Sequence, residues 1–170
     1  MKRTHIKKKK IFISHANEDK AFASSIYNLL IDMGLGADDI TYTPIPESGI
    51  KIGNSIYDTI FSTFKEYKLY VIFIESPRFH KKTFPENEVT LTLFCNNPFC
   101  SIFTPDMDFK KRKGPLMYKD NIVIRFNDND ILKSRLTELK GLLLNFLGKE
   151  DKLPSKTWER KLNQFLKRIE

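Results

Sequence analysis

Side chains that could do chemistry are few in this 170-residue chain, and their spacing excludes several common kinds of site. The histidines His5, His15 and His80 are scattered, so they match neither a metal-binding pattern nor, without a nucleophile elbow, a Ser/His/Asp triad. Cys95 and Cys100 are too few for a disulfide framework, and we expect both thiols to be reduced. The chain also lacks the glycine-rich motifs of a Rossmann dinucleotide site and of a P-loop. We therefore expect no metal centre and no resident cofactor.

The polar side chains that remain as candidates for a functional site follow directly after apolar runs of the sequence. Three dipeptides share this position: Ser14-His15, Thr43-Pro44 and Glu75-Ser76. If the runs are parallel strands, their carboxyl ends meet at one edge of a sheet, which is where such sheets bind ligands. We expect any site to be built from the loops that follow these dipeptides.

Strand and helix patterns alternate about five times along the chain. Short runs rich in β-branched and aromatic residues predict strands at 10–14, 40–43, 69–74, 101–104 and 121–126. Apolar stripes at helical spacing predict helices within 17–33, 52–64, 86–95, 132–146 and 158–169. Asn17 is expected to cap the first helix. The alternation predicts an α/β fold, with a doubly wound parallel five-stranded sheet covered by helices on both faces.

The net charge of +8 is concentrated in three stretches of the chain, at 1–10, 110–113 and 151–170. Such runs are usually solvated tails and loops, and we favour this interpretation over nucleic-acid binding. No window approaches the roughly 18 uninterrupted apolar residues of a membrane span, and no apolar signal region follows the basic start. We expect a cytoplasmic protein with neither a nucleic-acid nor a membrane partner.

Three segments, in this order and spacing, resemble a bacterial Toll/interleukin-1 receptor (TIR) domain. They are Ile11-Phe-Ile-Ser-His-Ala-Asn-Glu-Asp-Lys20, Gly49-Ile-Lys-Ile-Gly53 and Ser76-Pro-Arg-Phe-His-Lys-Lys-Thr-Phe-Pro-Glu-Asn-Glu88. The first is similar to the family's opening motif, the second to the close of its BB loop, and the third to the stretch that carries its glutamate. With Gly114-Pro115-Leu116, the resemblance covers about residues 9–148 and implies a flavodoxin-like sheet. It leaves 1–8 as a basic lead and 149–170 as a C-terminal helical appendage.

The resemblance implies an NAD+ glycohydrolase or cyclase of a bacterial immune (anti-phage) or signalling system, with Glu88 as the catalytic residue. NAD+ would be the substrate, cleaved at the nicotinamide-ribose bond. One carboxylate can suffice, because nicotinamide leaves as a neutral molecule and needs no general acid, unlike the leaving oxygen of a glycoside. Hydrolysis to ADP-ribose and cyclisation both remain open, since either water or an adenine nitrogen can attack the ribose carbon. Glu86 is a competing carboxylate, but it lies on another face of the predicted helix.

Substrate contacts implied by the same resemblance fall on Ser14, His15, Asn17, Ile50 and Phe84. Phe84 stands where the family has tryptophan, and it would either stack on nicotinamide or adenine or lie in the core. Ile50, in the BB loop, would close over the nicotinamide end, reach a neighbouring subunit or pack within its own loop.

A second function remains open at this point, which is a non-catalytic TIR module that acts by binding other TIR domains. The family's sites are commonly completed by head-to-tail packing of subunits, so we expect self-association and an activity that rises faster than in proportion to protein concentration. The last helix could be a linker, an oligomer contact or a cap on the core.

Overall fold

The structure, a computed structural model, describes residues 7–42, 56–81, 83–118 and 123–169. Its strands are β1 (Lys9–Ser14), β2 (Ile40–Tyr42), β3 (Lys68–Glu75), β4 (Phe99–Phe103) and β5 (Val123–Ile124). Its α-helices are α1 (Lys20–Asp32), α2 (Ile56–Glu66), α3 (Thr83–Phe94), α4 (Asn129–Leu147) and α5 (Ser155–Ile169).

All five strands pair in parallel, in the spatial order β2-β1-β3-β4-β5. This is the flavodoxin-like order, and it confirms the predicted fold class. The chain passes from β1 to β2 on one side and places β3 on the other side of β1. The crevice beyond the carboxyl ends of β1 and β3 is therefore the switch point at which such sheets bind ligands.

Successive residues of the central strands face opposite sides of the sheet. Ile11 and Ile13 pack in a core with α1, α4 and α5, whereas Phe12 packs in a second core with residues of α2 and α3. In β3 every residue after Lys68 is buried, as expected for a strand that helices cover on both faces. The continuous apolar run at 69–74 thus predicted the central position of this strand correctly.

The last helix, α5, belongs to the first core. Trp158, Leu162, Phe165 and Leu166 are buried along one side of α5, which packs against α1. The indole N–H of Trp158 also donates to Thr137 Oγ1 on α4, at 2.9 Å. Of the three roles considered for this helix, the structure shows a cap on the core.

Two local predictions are wrong. Asn17 does not cap α1, because Asn17–Asp19 form a 3-10 turn, α1 begins at Lys20, and the side chain of Asp19 makes no capping hydrogen bond. The third helix begins at Thr83, three residues before the predicted start at 86. Pro85 falls in its first turn, where backbone N–H groups have no partner within the helix and proline is tolerated.

The predicted loop at 44–53, with Ile50 and Ile52, lies outside the described residues, as do residues 1–6 of the basic lead predicted at 1–8. Within the described ranges, no helix combines the length and the apolar character needed to span a membrane.

Candidate functional site

Ser14 and Glu88 meet at the carboxyl edge of the sheet, where β1 ends. Ser14 is the last residue of β1, and its hydroxyl donates a hydrogen bond to Glu88 Oε2 on α3. Both side chains are fully buried, with 0% of their surface exposed. A carboxyl group that accepts a hydroxyl hydrogen bond in a buried site is held in a fixed orientation.

Packing of α3 on the sheet places Glu88 at this point. Val89, the next residue, is buried in the second core together with Phe73 of β3 and Phe79. Thr92 Oγ1 donates to the backbone carbonyl of Glu88, at 2.7 Å, on the following turn. Glu88 therefore lies in the second turn of α3, a helix that packs on the sheet through the neighbouring Val89.

His15 follows Ser14 directly and is also buried, with 4% of its surface exposed. Burial lowers the pKa of its imidazole, and a backbone hydrogen bond to Ile13 and the charge of Asp19 oppose that shift without cancelling it. The neutral imidazole is thus the favoured form next to the crevice.

Asp19 ties the segment after β1 to the segment after β3. Its carboxylate accepts from the hydroxyl of Ser76 and from Arg78 Nε, the latter at 2.7 Å. Arg78 also forms a bidentate salt bridge, at 2.8 and 3.2 Å, with Asp106, which lies in the segment after β4. Hydrogen bonds from Arg78 hold the pKa of the Asp106 carboxyl below its usual value. Three segments at the carboxyl edge of the sheet are joined by this one guanidinium.

Glu75, the last residue of β3, forms the second ionic cluster at this edge. Arg112 binds both of its carboxylate oxygens, at 2.9 and 2.8 Å, and His80 Nε2 lies 2.9 Å from Oε2. Burial of Glu75 would raise the pKa of its carboxyl, but hydrogen bonds with His80, Arg112 and Ser101 hold that pKa below its usual value. Glu75 is therefore an anion in the folded protein at neutral pH.

Comparison with known proteins finds a relative. The chain resembles YddK. That protein, from Bacillus subtilis (strain 168), is uncharacterized and is 34% identical to this chain over 96 residues. The matched stretch is 56% of this chain and 35% of YddK, so the chain spans about a third of that relative's length. No family model matches the chain. Function must therefore be argued from the site itself.

The residues predicted for the site are placed as follows. Ser14 and Glu88 are in contact. His15, the residue after Ser14, is also buried. Asn17 is exposed in the turn that follows. The side chain of Phe84 lies outside what the structure describes, and Ile50 lies outside the described residues.

Sequence reasoning missed the two ionic clusters. Arg112 lies in the basic run at 110–113, which was predicted to be a solvated loop, yet Arg112 is 6% exposed and bound to Glu75. Its guanidinium also lies 5.9 Å from the ring of Phe103 and 6.0 Å from that of Phe109. The available signal was Glu75 itself, since a carboxylate that ends a fully apolar strand needs a buried cation.

Groups of three or more histidine, cysteine, aspartate or glutamate side chains that could hold a metal ion are not found in the described part of the chain. The chemistry that the described residues offer at this crevice is that of an oriented carboxylate among fixed ionic groups.

Proposed function

We propose that the protein is an NAD+ glycohydrolase or cyclase whose catalytic residue is Glu88. The observation that carries the proposal is the contact between Ser14 and Glu88 at the carboxyl edge of the sheet, where β1 ends. Those two residues come from two of the segments that resemble TIR domains, and they lie 74 positions apart in the sequence but in contact in the fold. Their meeting at the edge where α/β sheets bind ligands is what an enzyme of this kind requires.

Cleavage of the nicotinamide-ribose bond develops positive charge on the ribose carbon and its ring oxygen. The Glu88 carboxylate would stabilise that charge and accept hydrogen bonds from the ribose hydroxyls, an electrostatic effect that grows in a water-poor site. The Ser14 hydroxyl would hold the carboxylate in a fixed orientation before the substrate arrives. Nicotinamide leaves as a neutral molecule, and attack by water or by an adenine nitrogen then decides the product.

The test is incubation of the purified chain with NAD+, with nicotinamide, ADP-ribose and cyclised product separated by chromatography. We expect nicotinamide release by the native protein and a loss of about 100-fold or more in Glu88→Gln, since that variant removes the charge and keeps the shape. Glu86→Gln tests the competing carboxylate. Glu138→Gln, at an exposed ion pair with Arg135 on α4, is a matched control that should keep full turnover.

Full burial of Glu88 favours a second candidate, which is the non-catalytic scaffold. A carboxylate with no exposed surface must be uncovered before a substrate can touch it, and a structural role would not require this. The two candidates differ in one measurement. In a scaffold, no nicotinamide forms at any protein concentration. In an enzyme, the native protein releases nicotinamide and Glu88→Gln loses that turnover. The melting temperature of the variant should change little in either case, because the glutamine carbonyl can still accept from Ser14.

A further inference from the structure

The buried pair of Glu75 and Arg112 calls for an explanation other than stability. Removing two charges from water costs several kcal/mol per ion, and replacing such a pair by apolar residues is often neutral or stabilising. Glu75 is 0% exposed and Arg112 is 6% exposed, so both pay this desolvation cost. The pair does provide a fixed geometry, because Nε and Nη2 of Arg112 each donate to a different oxygen of the Glu75 carboxylate.

Three segments of the chain converge on the Glu75 carboxylate. Glu75 itself ends β3, Arg112 comes from the segment after β4, and His80 comes from the 3-10 turn Phe79–Lys81. Arg112 also lies 3.3 Å from Ser101 Oγ on β4, which adds a contact to a neighbouring strand. One carboxylate therefore links the end of β3 to the turn Phe79–Lys81 and to the segment that leads into a second 3-10 turn, Pro115–Tyr118.

Both of these turns border α3. The turn Phe79–Lys81 ends two residues before α3 begins at Thr83, and the 3-10 turn Pro115–Tyr118, three residues after Arg112, packs against α3. Hydrogen bonds hold the start of the first turn, because Ser76 Oγ accepts from the backbone N–H groups of Arg78 and Phe79 at 3.1 and 3.0 Å.

We propose that Glu75 is a positioning residue for Glu88. Through His80 it holds the turn Phe79–Lys81, through Arg112 it holds the segment that leads into the turn Pro115–Tyr118, and together these keep α3 and Glu88 against Ser14. The inference rests on the proposed function for its catalytic readout. A shift of about 1 Å in a catalytic group can reduce turnover about 100-fold, so loss of this carboxylate reduces kcat even in a folded protein.

The decisive variant is the charge-balanced pair Glu75→Gln/Arg112→Gln, because Glu75→Gln alone leaves Arg112 buried without its anion. We expect kcat for NAD+ cleavage to fall at least about tenfold while KM stays within about twofold. Leu162→Ala is the matched control: it opens a cavity under α5, on the other face of the sheet, and lowers the melting temperature without touching α3. It should keep its kcat at temperatures where it is folded.

Backbone hydrogen exchange supplies a readout that does not depend on catalysis. In the double variant we expect faster exchange in α3 than in the native protein, with α1 unchanged, whereas Leu162→Ala should accelerate exchange in α1 and α5. A native kcat in the folded double variant, or native exchange in α3, overturns the inference. If the native protein cleaves no NAD+, the proposed function fails, and the exchange of α3 alone then decides whether Glu75 positions this helix.

Discussion

His15 is buried directly after the last residue of β1, and its titration should make the stability of the protein depend on pH. Burial lowers the pKa of the folded imidazole below its ordinary value of 6.5. The charged groups that act on it are Asp19, which raises this pKa, and Lys20, which lowers it. Below pH 6.5 the unfolded chain takes up a proton that the folded protein resists, so unfolding is favoured as the pH falls.

We therefore expect the free energy of unfolding to decrease between about pH 7 and pH 5, and we expect His15→Gln to lose that part of the dependence. Urea denaturation at a series of pH values measures both. Glu75, whose pKa lies below the ordinary 4.5, contributes in a separate window, because the stability it provides is lost only as the pH falls through its folded pKa. An unchanged slope above pH 5 in His15→Gln would exclude the imidazole as its source.

At the scale of single elements, α4 contains one glycine, Gly141, and is followed by a second, Gly148, and the two differ in backbone conformation. Gly148 ends the helix in the left-handed region, with φ 71° and ψ 33°, and its N–H donates to the carbonyls of Asn145 and Leu144. Gly141 lies inside the helix with ordinary backbone angles. At neither position would an added Cβ meet another atom within 4 Å, so the two differ in backbone conformation alone.

We expect Gly148→Ala to destabilise the protein by about 1 kcal/mol, because alanine is strained at positive φ. Gly141→Ala should stabilise it by about 0.5 to 1 kcal/mol, since alanine loses less conformational entropy in a helix. Urea unfolding of both variants under one set of conditions gives the comparison. Changes of the same sign would contradict the capping geometry at Gly148.

At the scale of the whole molecule, α5 determines whether the first core is closed. Phe165 is 0% exposed, and the other buried residues of α5 pack in the same cluster as the central strands. The single tryptophan, Trp158, is buried in this interface, so its fluorescence reports on α5 directly.

We expect Phe165→Ala to cost about 3 to 5 kcal/mol, as large-to-small changes in a core do. Gln164→Ala, at the exposed neighbouring position, should change stability by less than about 0.5 kcal/mol. Trp158 fluorescence and far-ultraviolet circular dichroism should report one coincident transition in the native protein. A separate, earlier fluorescence transition would show that α5 unfolds independently and is an appendage after all.

Particular elements show how far the sequence predicts this fold. The run at 69–74 predicted a central strand and the structure confirms it, because continuous apolar character is a local property that burial on both faces requires. The stripe of α5 predicted a buried face but not what covers it. Asn17 was a plausible cap by residue type, yet the turn Asn17–Asp19 forms instead and Asp19 is bound by Ser76 and Arg78. The sequence of this segment does not show that Ser76 and Arg78, 57 and 59 residues further on, bind the Asp19 side chain.

The order of apolar runs and helical stripes was enough to determine the parallel sheet, since each pattern reflects burial within its own segment. The motifs likewise singled out Ser14 and Glu88. Tertiary structure alone decided that these two side chains touch, and that one arginine of a four-residue basic run turns inward to Glu75. Both outcomes depend on which loops lie side by side at the edge of the sheet, a relation between segments far apart in the chain.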